Sequence, residues 1–144
     1  CLQRNLKRYT PSAVIVQAAV KDKMSEQGRR EQLTYFPRMP GNSTLVPDEK
    51  ESQRSIMKAS VADRLFAERT LESVEVVTIS WVLKTLRIDA VALLKIDVEG
   101  SELDALKGVD KQDWLKVAAV VAEVHDYHSR LFAVTALLRM TAGF

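Results

Sequence analysis

A chain of 144 residues, 47% hydrophobic and 28% charged, carries enough apolar side chain for one domain with a buried core. A net charge of +2 leaves no electrostatic footprint for nucleic acid or an anionic membrane surface, and no apolar run reaches membrane-spanning length. The single cysteine, Cys1, excludes an internal disulfide and makes the cytosol (a cytoplasmic setting) the default compartment.

In chain order, residues 2–9 (LQRNLKRY) have the mixed faces of a surface helix, ended by Thr10-Pro11 because proline disfavours a helical residue before it. Residues 13–20, AVIVQAAV, are a β-branched run predicted to be a buried parallel strand. The charged segment 21–32, with Gly28, is expected to be a turn or surface loop, and the basic residues between Arg4 and Arg30 read as a solvated face. Residues 33–36 suit a short strand, but Pro37 and Pro40 forbid regular central pairing. Gly41-Asn42 then supply a turn, and Ser43 and Thr44 carry hydroxyls free to bond. This stretch is a proline-stiffened surface loop or, on the sharper reading, a rim or lid over a ligand formed by Pro40, Gly41, Asn42 and Ser43.

Residues 46–72 show no single period and are expected to be an insertion or a mobile excursion, with a short helix at 60–69. Residues 74–79, VEVVTI, read as a strand, after which Ser80 caps a helix with Trp81, Val82, Leu83 and Leu86 on its buried side. Residues 91–96 suit a strand buried on both faces, followed by Asp97 and Glu99 at alternate positions and by Gly100 as the breaker. Ser101 stands at the N-cap of the next helix, which carries Leu103 and Leu106 and stops at Gly108. Residues 117–124, VAAVVAEV, form another apolar strand ending in His125-Asp126-Tyr127-His128, and 130–140 an amphipathic helix stopped by Gly143. This alternation predicts a single α/β domain over 1–144, a mostly parallel sheet with helices on both faces. The chain opens on Cys1 and closes on Gly143-Phe144 straight after a helical pattern, so both ends read as cut and the domain as incomplete.

In open α/β sheets ligands bind at the carboxyl ends of strands. If the last two strands are neighbours, Asp97, Glu99, Glu123, His125 and Asp126 converge on one crevice. Alternation keeps Asp97 and Glu99 on one side, with Val98 opposite, only while the chain stays extended. Such carboxylates can hold a divalent cation together with ligand oxygens, although no metal-spaced Cys/His set accompanies them and no metal site is assigned. An imidazole titrates near ~6.5 when unperturbed, which makes His125 the candidate general base toward a substrate hydroxyl. Glu102 and Asp104 read as surface acids compensating a helix dipole, Lys95 as a snorkelling or ion-paired lysine, and His128 as a surface residue. There is no glycine-rich phosphate loop and no nucleophile-elbow pattern.

The block LLKIDVEGSELDALKG, with Trp114, VVAEVHD and Arg130-Leu131 beyond it, resembles the FkbM family of S-adenosylmethionine-dependent methyltransferases. The stretch YFPRMPGNSTL resembles the loop of members tied to polyketide and nonribosomal peptide biosynthesis. The resemblance runs over residues 33–144 and more loosely over 2–22. It implies a partial class I methyltransferase (Rossmann-like) fold, with S-adenosylmethionine lying across the carboxyl ends of the first strands. It also implies methyl transfer to a hydroxyl of a small-molecule acceptor, with natural-product biosynthetic enzymes as partners and with neither nucleic acid nor membrane. By the same resemblance Ala18, Ala19 and Val20 lie near the adenine, and Asp97 and Glu99 near the methionine moiety and the reacting centre. Glu123 and His125 face the acceptor, residues 37–44 border substrate or cofactor, and the catalytic candidates are His125, Asp97 and Glu123.

The family's glycine-rich turn and ribose-gripping acid have no counterpart among these residues, so the expected sheet has a gap and unpaired edges. The competing reading is therefore a non-catalytic remnant or docking module that does not bind cofactor alone. A third reading takes Asp97-Val98-Glu99 as the metal clamp of a nucleotide-sugar transferase, against which the flanking resemblance argues.

Overall fold

The computed structural model describes residues 2–22 and 30–142, and most of the charged segment predicted as a turn or loop lies outside them. Helix α1 (Leu2–Tyr9) ends before Thr10-Pro11, as the proline requires. The β-branched run after it is a strand only at its end, β1 (Ala19–Val20), and Val14, Ile15 and Val16 are exposed rather than buried. A strand needs a hydrogen-bonded neighbour, and only Ala19 and Val20 find one, opposite Val76 and Val77 of β3 (Thr70–Val77).

Strand β2 (Arg30–Tyr35) lies antiparallel to β3, from Arg30 opposite Glu75 to Tyr35 opposite Thr70. Pro37 falls just beyond its end, where the missing N–H breaks no ladder bond. A 3-10 turn (Pro40–Asn42) then brings Thr44 back to bridge Thr34, their N–H and C=O groups exchanged at 2.9 and 3.0 Å.

Much of 46–72 is helical. In α2 (Pro47–Ile56), Pro47 is pre-organised for the first turn, and Asp48 and Glu49 suit its positive dipole end. In α3 (Ala59–Phe66), Ala62 and Phe66 are buried, and Phe66 meets Phe36 edge-on at 5.1 Å. Helix α2 has no apolar stripe to announce it, and among its described side chains Glu49 and Lys50 make ionic contacts with other elements.

Helix α4 (Ile79–Thr85) is capped by Thr78, whose Oγ1 accepts the Trp81 N–H at 3.0 Å. Ser80, the expected cap, is inside the helix and accepts the Asp110 N–H at 2.7 Å. Strands β4 (Leu94–Ile96) and β5 (Val120–Ala122) pair in parallel, with Ile96 opposite Ala122 and a further bridge from Val91 to Val117. Ile96 is buried but Lys95 is exposed, so β4 is not buried on both faces. Helix α5 (Glu102–Lys107) and a 3-10 turn (Trp114–Lys116) connect them, and α6 (Arg130–Leu137) follows, running into a π-helical turn (Leu138–Ala142). Gly143, the expected stop, lies outside the described residues.

The core gathers Ile79 and Leu83 of α4, Ile96, Ala105 and Leu106 of α5, Val109, Trp114, Val117 and Val134 of α6. Each large apolar side chain buried there contributes about 1.5–3 kcal/mol, which locks the β4–β5 pair against α4, α5 and α6. The fold is α/β, but the single mostly parallel sheet needs correcting. Among the described residues there are two sheets, a mixed one ordered β1-β3-β2 and the parallel pair β4-β5. No described strand pairs with both β1 and β4, so the two sheets meet across a cavity instead of a hydrogen-bonded ladder.

Candidate functional site

The cavity, about 790 Å³, is lined at the end of β1 by Ala18, Ala19 and Val20 and beyond β4 by Asp97, Val98 and Glu99. Ile15 and Val16 add an apolar wall. Of the lid candidates, Gly41 and Ser43 line it, whereas Asn42 turns its Oδ1 to Lys50 and Pro40 is exposed. The five residues that the resemblance places near a cofactor all line this cavity.

The acids differ in how they are held. Asp97 is exposed and its Oδ2 takes the Lys95 ammonium at 2.8 Å, as expected for an ion-paired lysine. That hydrogen bond, and then the charge of Asp97, holds the Lys95 ammonium above its ordinary range. Glu99 is no longer on an extended chain, because β4 ends at Ile96 and Glu99 adopts φ +51°, followed by Gly100 at +106°. The alternation that would set Asp97 beside Glu99 therefore does not continue. A left-handed non-glycine residue costs about 1–3 kcal/mol and persists only where its surroundings over-determine it.

Those surroundings come from the loop and helix at 42–50. Thr44 Oγ1 donates to the Glu99 carbonyl at 2.6 Å and accepts the Val46 N–H at 3.0 Å. Lys50 Nζ meets Glu99 Oε2 and also donates to Asn42 Oδ1 at 3.0 Å. The Lys50 and Glu99 side chains are 4% and 17% exposed, and moving two charges out of water costs several kcal/mol per ion before their attraction offsets it.

His125 lies against the same carboxylate. Its Nδ1 is 4.0 Å from Glu99 Oε2 and its Nε2 4.0 Å from Glu123 Oε1, ion-pair distances longer than a hydrogen bond. The parallel pairing of β4 with β5 brings Glu99, His125 and Glu123 together, as neighbouring strand ends should. Asp126 leaves the group: its Oδ1 accepts the Leu131 N–H at 3.0 Å, at the start of α6. His128 is exposed, as expected.

Behind the turn, Glu102 is wholly buried rather than a surface acid. Its Oε1 accepts the Gly100 N–H at 2.7 Å, while Oε2 lies 3.6 Å from Arg130 Nη1 without a hydrogen bond. Ser101 makes no capping bond, and its Oγ is buried without a partner in the cavity wall. Arg130 forks onto both oxygens of Glu49, with Nη1 to Oε2 at 2.9 Å, and also donates to the His125 carbonyl at 2.9 Å. Its hydrogen bond with Glu49 holds the guanidinium above its ordinary, already high value, against the opposing effect of burial. Lys50, Glu49 and Glu102 were invisible as site residues, since a polar helix and two first-turn acids carry no signal beyond their own composition. Among the described residues, no three His, Cys, Asp or Glu side chains are grouped so as to hold a metal ion. No described helix is long and apolar enough to cross a membrane.

The sequence model of the family described as "Methyltransferase FkbM domain" matches residues 4–141. The chain is 43% identical over 103 residues to Methyltransferase sdnD of Sordaria araneosa, a stretch covering 63% of this chain and 40% of that protein. It is 33% identical to Methyltransferase 1 of Beauveria bassiana, over 99% of this chain and 56% of the relative. To the 31-O-demethyl-FK506 methyltransferase FkbM of Streptomyces tacrolimicus it is 38% identical, over 96% of this chain and 56% of the relative. The chain spans about half the length of these curated relatives. No solved structure is a significant match.

Proposed function

The chain belongs to the FkbM methyltransferase family, and from that membership we propose that it serves S-adenosylmethionine-dependent methyl transfer to a hydroxyl oxygen of a small molecule, within natural-product biosynthesis. One observation carries the proposal: the ends of β1 and β4 open on a single cavity lined by Ala18, Ala19, Val20, Asp97 and Glu99. The residues fit such a donor chemically. Ile15, Val16 and Ala18 offer an apolar wall for a planar base, and Asp97 and Glu99 offer acceptors for hydroxyl or ammonium groups. A relative named for an O-demethylated compound supports oxygen as the acceptor atom.

When bound, S-adenosylmethionine supplies a methyl group already activated on a sulfonium, so the protein's part is chiefly alignment. His125, which adjoins Glu99 and Glu123 at 4.0 Å without itself lining the cavity, would take the acceptor's hydroxyl proton as the carbon–oxygen bond forms and the sulfonium's carbon–sulfur bond breaks. Glu99 and Asp97 would orient the donor side, and Gly41 and Ser43 line the same cavity.

Calorimetric titration of S-adenosylmethionine into this chain, after circular dichroism confirms folding, tests the reading. A dissociation constant on the order of micromolar is expected, with Asp97→Ala weakening it about tenfold, near 1.4 kcal/mol. His125→Asn should retain that affinity while lowering transfer to a hydroxyl acceptor about 10²-fold or more. A folded chain that gives no binding heat overturns the reading and leaves a non-catalytic docking role.

A further inference from the structure

We propose that Lys50 is a positioning residue for the donor side of the cavity: it holds one oxygen of Glu99 so that the other is presented to the ligand. This rests on the methyl-transfer reading above, and it adds a residue that neither the motif block nor the family match singles out.

Three observations carry it. Lys50 reaches Glu99 from a different element, 49 positions away, and its Nζ meets Oε2 while anchored on Asn42 Oδ1. Glu99 Oε1 has no hydrogen-bond partner among the described residues, although Glu99 lines the cavity. An ionised carboxylate accepts on both oxygens, so pinning Oε2 leaves Oε1 as the acceptor for a ligand N–H or O–H. The backbone at Glu99 is also held, by Thr44 Oγ1 on its carbonyl in a left-handed conformation. Strain that is maintained by a second element belongs to sites whose geometry matters. Stability alone explains the pair poorly, because buried ion pairs are often replaced by apolar side chains without loss.

The same segment that supplies Lys50 also supplies Gly41 and Ser43 to the cavity wall and Thr44 to the turn. The loop predicted as a rim or lid is thus latched onto the acid turn from within. Its spacing from Asn42 to Lys50 lets one element shape the cavity and orient its carboxylate together.

The test compares wild type, Lys50→Met and Lys50→Arg in two measurements. In the free protein, NMR spectra of the Gly100 amide, the His125 ring and the Glu99 side-chain carboxyl report the turn. Lys50→Met should shift all three signals while Lys50→Arg returns them toward wild type. In the second, titration with S-adenosylhomocysteine should show Lys50→Met at least tenfold weaker and Lys50→Arg within about threefold of wild type. Unmoved signals, or equal losses from Met and Arg, overturn the proposal. Unchanged affinity in Lys50→Met overturns it as well. If wild type itself does not bind, the methyl-transfer reading fails, and the free-protein signals still decide the role of Lys50. Should Lys50→Met not fold, Lys50→Gln, which removes the charge, takes its place in both measurements.

Discussion

Between Glu99 and Gly100 the backbone turns through two consecutive positive φ values, and the absence of a side chain at the second allows the turn to close. A methyl group on Gly100 would run into Val46 Cγ2 and sit 3.0 Å from Glu49 Oε2, both on the segment that latches the turn. The clash and the unfavourable φ act together, so Gly100→Ala should destabilise the fold by about 2–4 kcal/mol. Urea denaturation checks this as a fall in midpoint at unchanged slope. The glycine was legible in the sequence as a strand breaker. Its second role, admitting α2, depends on a residue 54 positions earlier that no local pattern connects to it.

Charge ties α2 to α5 and α6, which also share the apolar core. Arg130 at the first position of α6 holds Glu49 of α2 and lies 3.6 Å from the buried Glu102 of α5. Removing the guanidinium leaves two carboxylates uncompensated, one of them out of reach of water. Arg130→Met is therefore expected to cost about 3–5 kcal/mol. Adding Glu102→Gln should restore part of the loss, because the buried group then carries no charge and its side-chain oxygen can still accept the Gly100 N–H. A double-mutant cycle in denaturant measures that coupling. Sequence reading placed α6 correctly and Glu102 wrongly, for one reason. Composition says that a first-turn acid suits a helix N-terminus, but not which side of the helix another element will cover.

For the molecule as a whole, the acid range of its stability is set partly away from the cavity. Asp113 is buried at 7% exposure, paired with Lys116 at 2.8 Å, and hydrogen bonds from Lys116 and then Ser80 hold its carboxyl below the usual range. A folded-state value below the unfolded one means stability present above the unfolded value of about 3.9 and lost as pH falls through the folded value. The raised Arg130 guanidinium stays protonated throughout and adds no slope there. Asp113→Asn should thus lower stability by about 1 kcal/mol at pH 7 and by little at pH 2, flattening the acid limb of a stability–pH curve. Thermal melts across that range check it.

Where strands run into acids, that β4 and β5 carry those acids at their carboxyl ends, and which family the chain resembles are all legible in the chain's own residues. These are properties of short stretches, written in β-branched runs, breakers and a contiguous motif. That β1 and β4 belong to separate sheets facing one cavity, and that residues 13–17 stay exposed, is fixed by the folded chain alone. It also decided that Lys50 and Arg130 organise Glu99, Glu49 and Glu102. Strand pairing and buried charge depend on what lies opposite a residue in space, and the partners here are 26 to 81 positions distant in the chain.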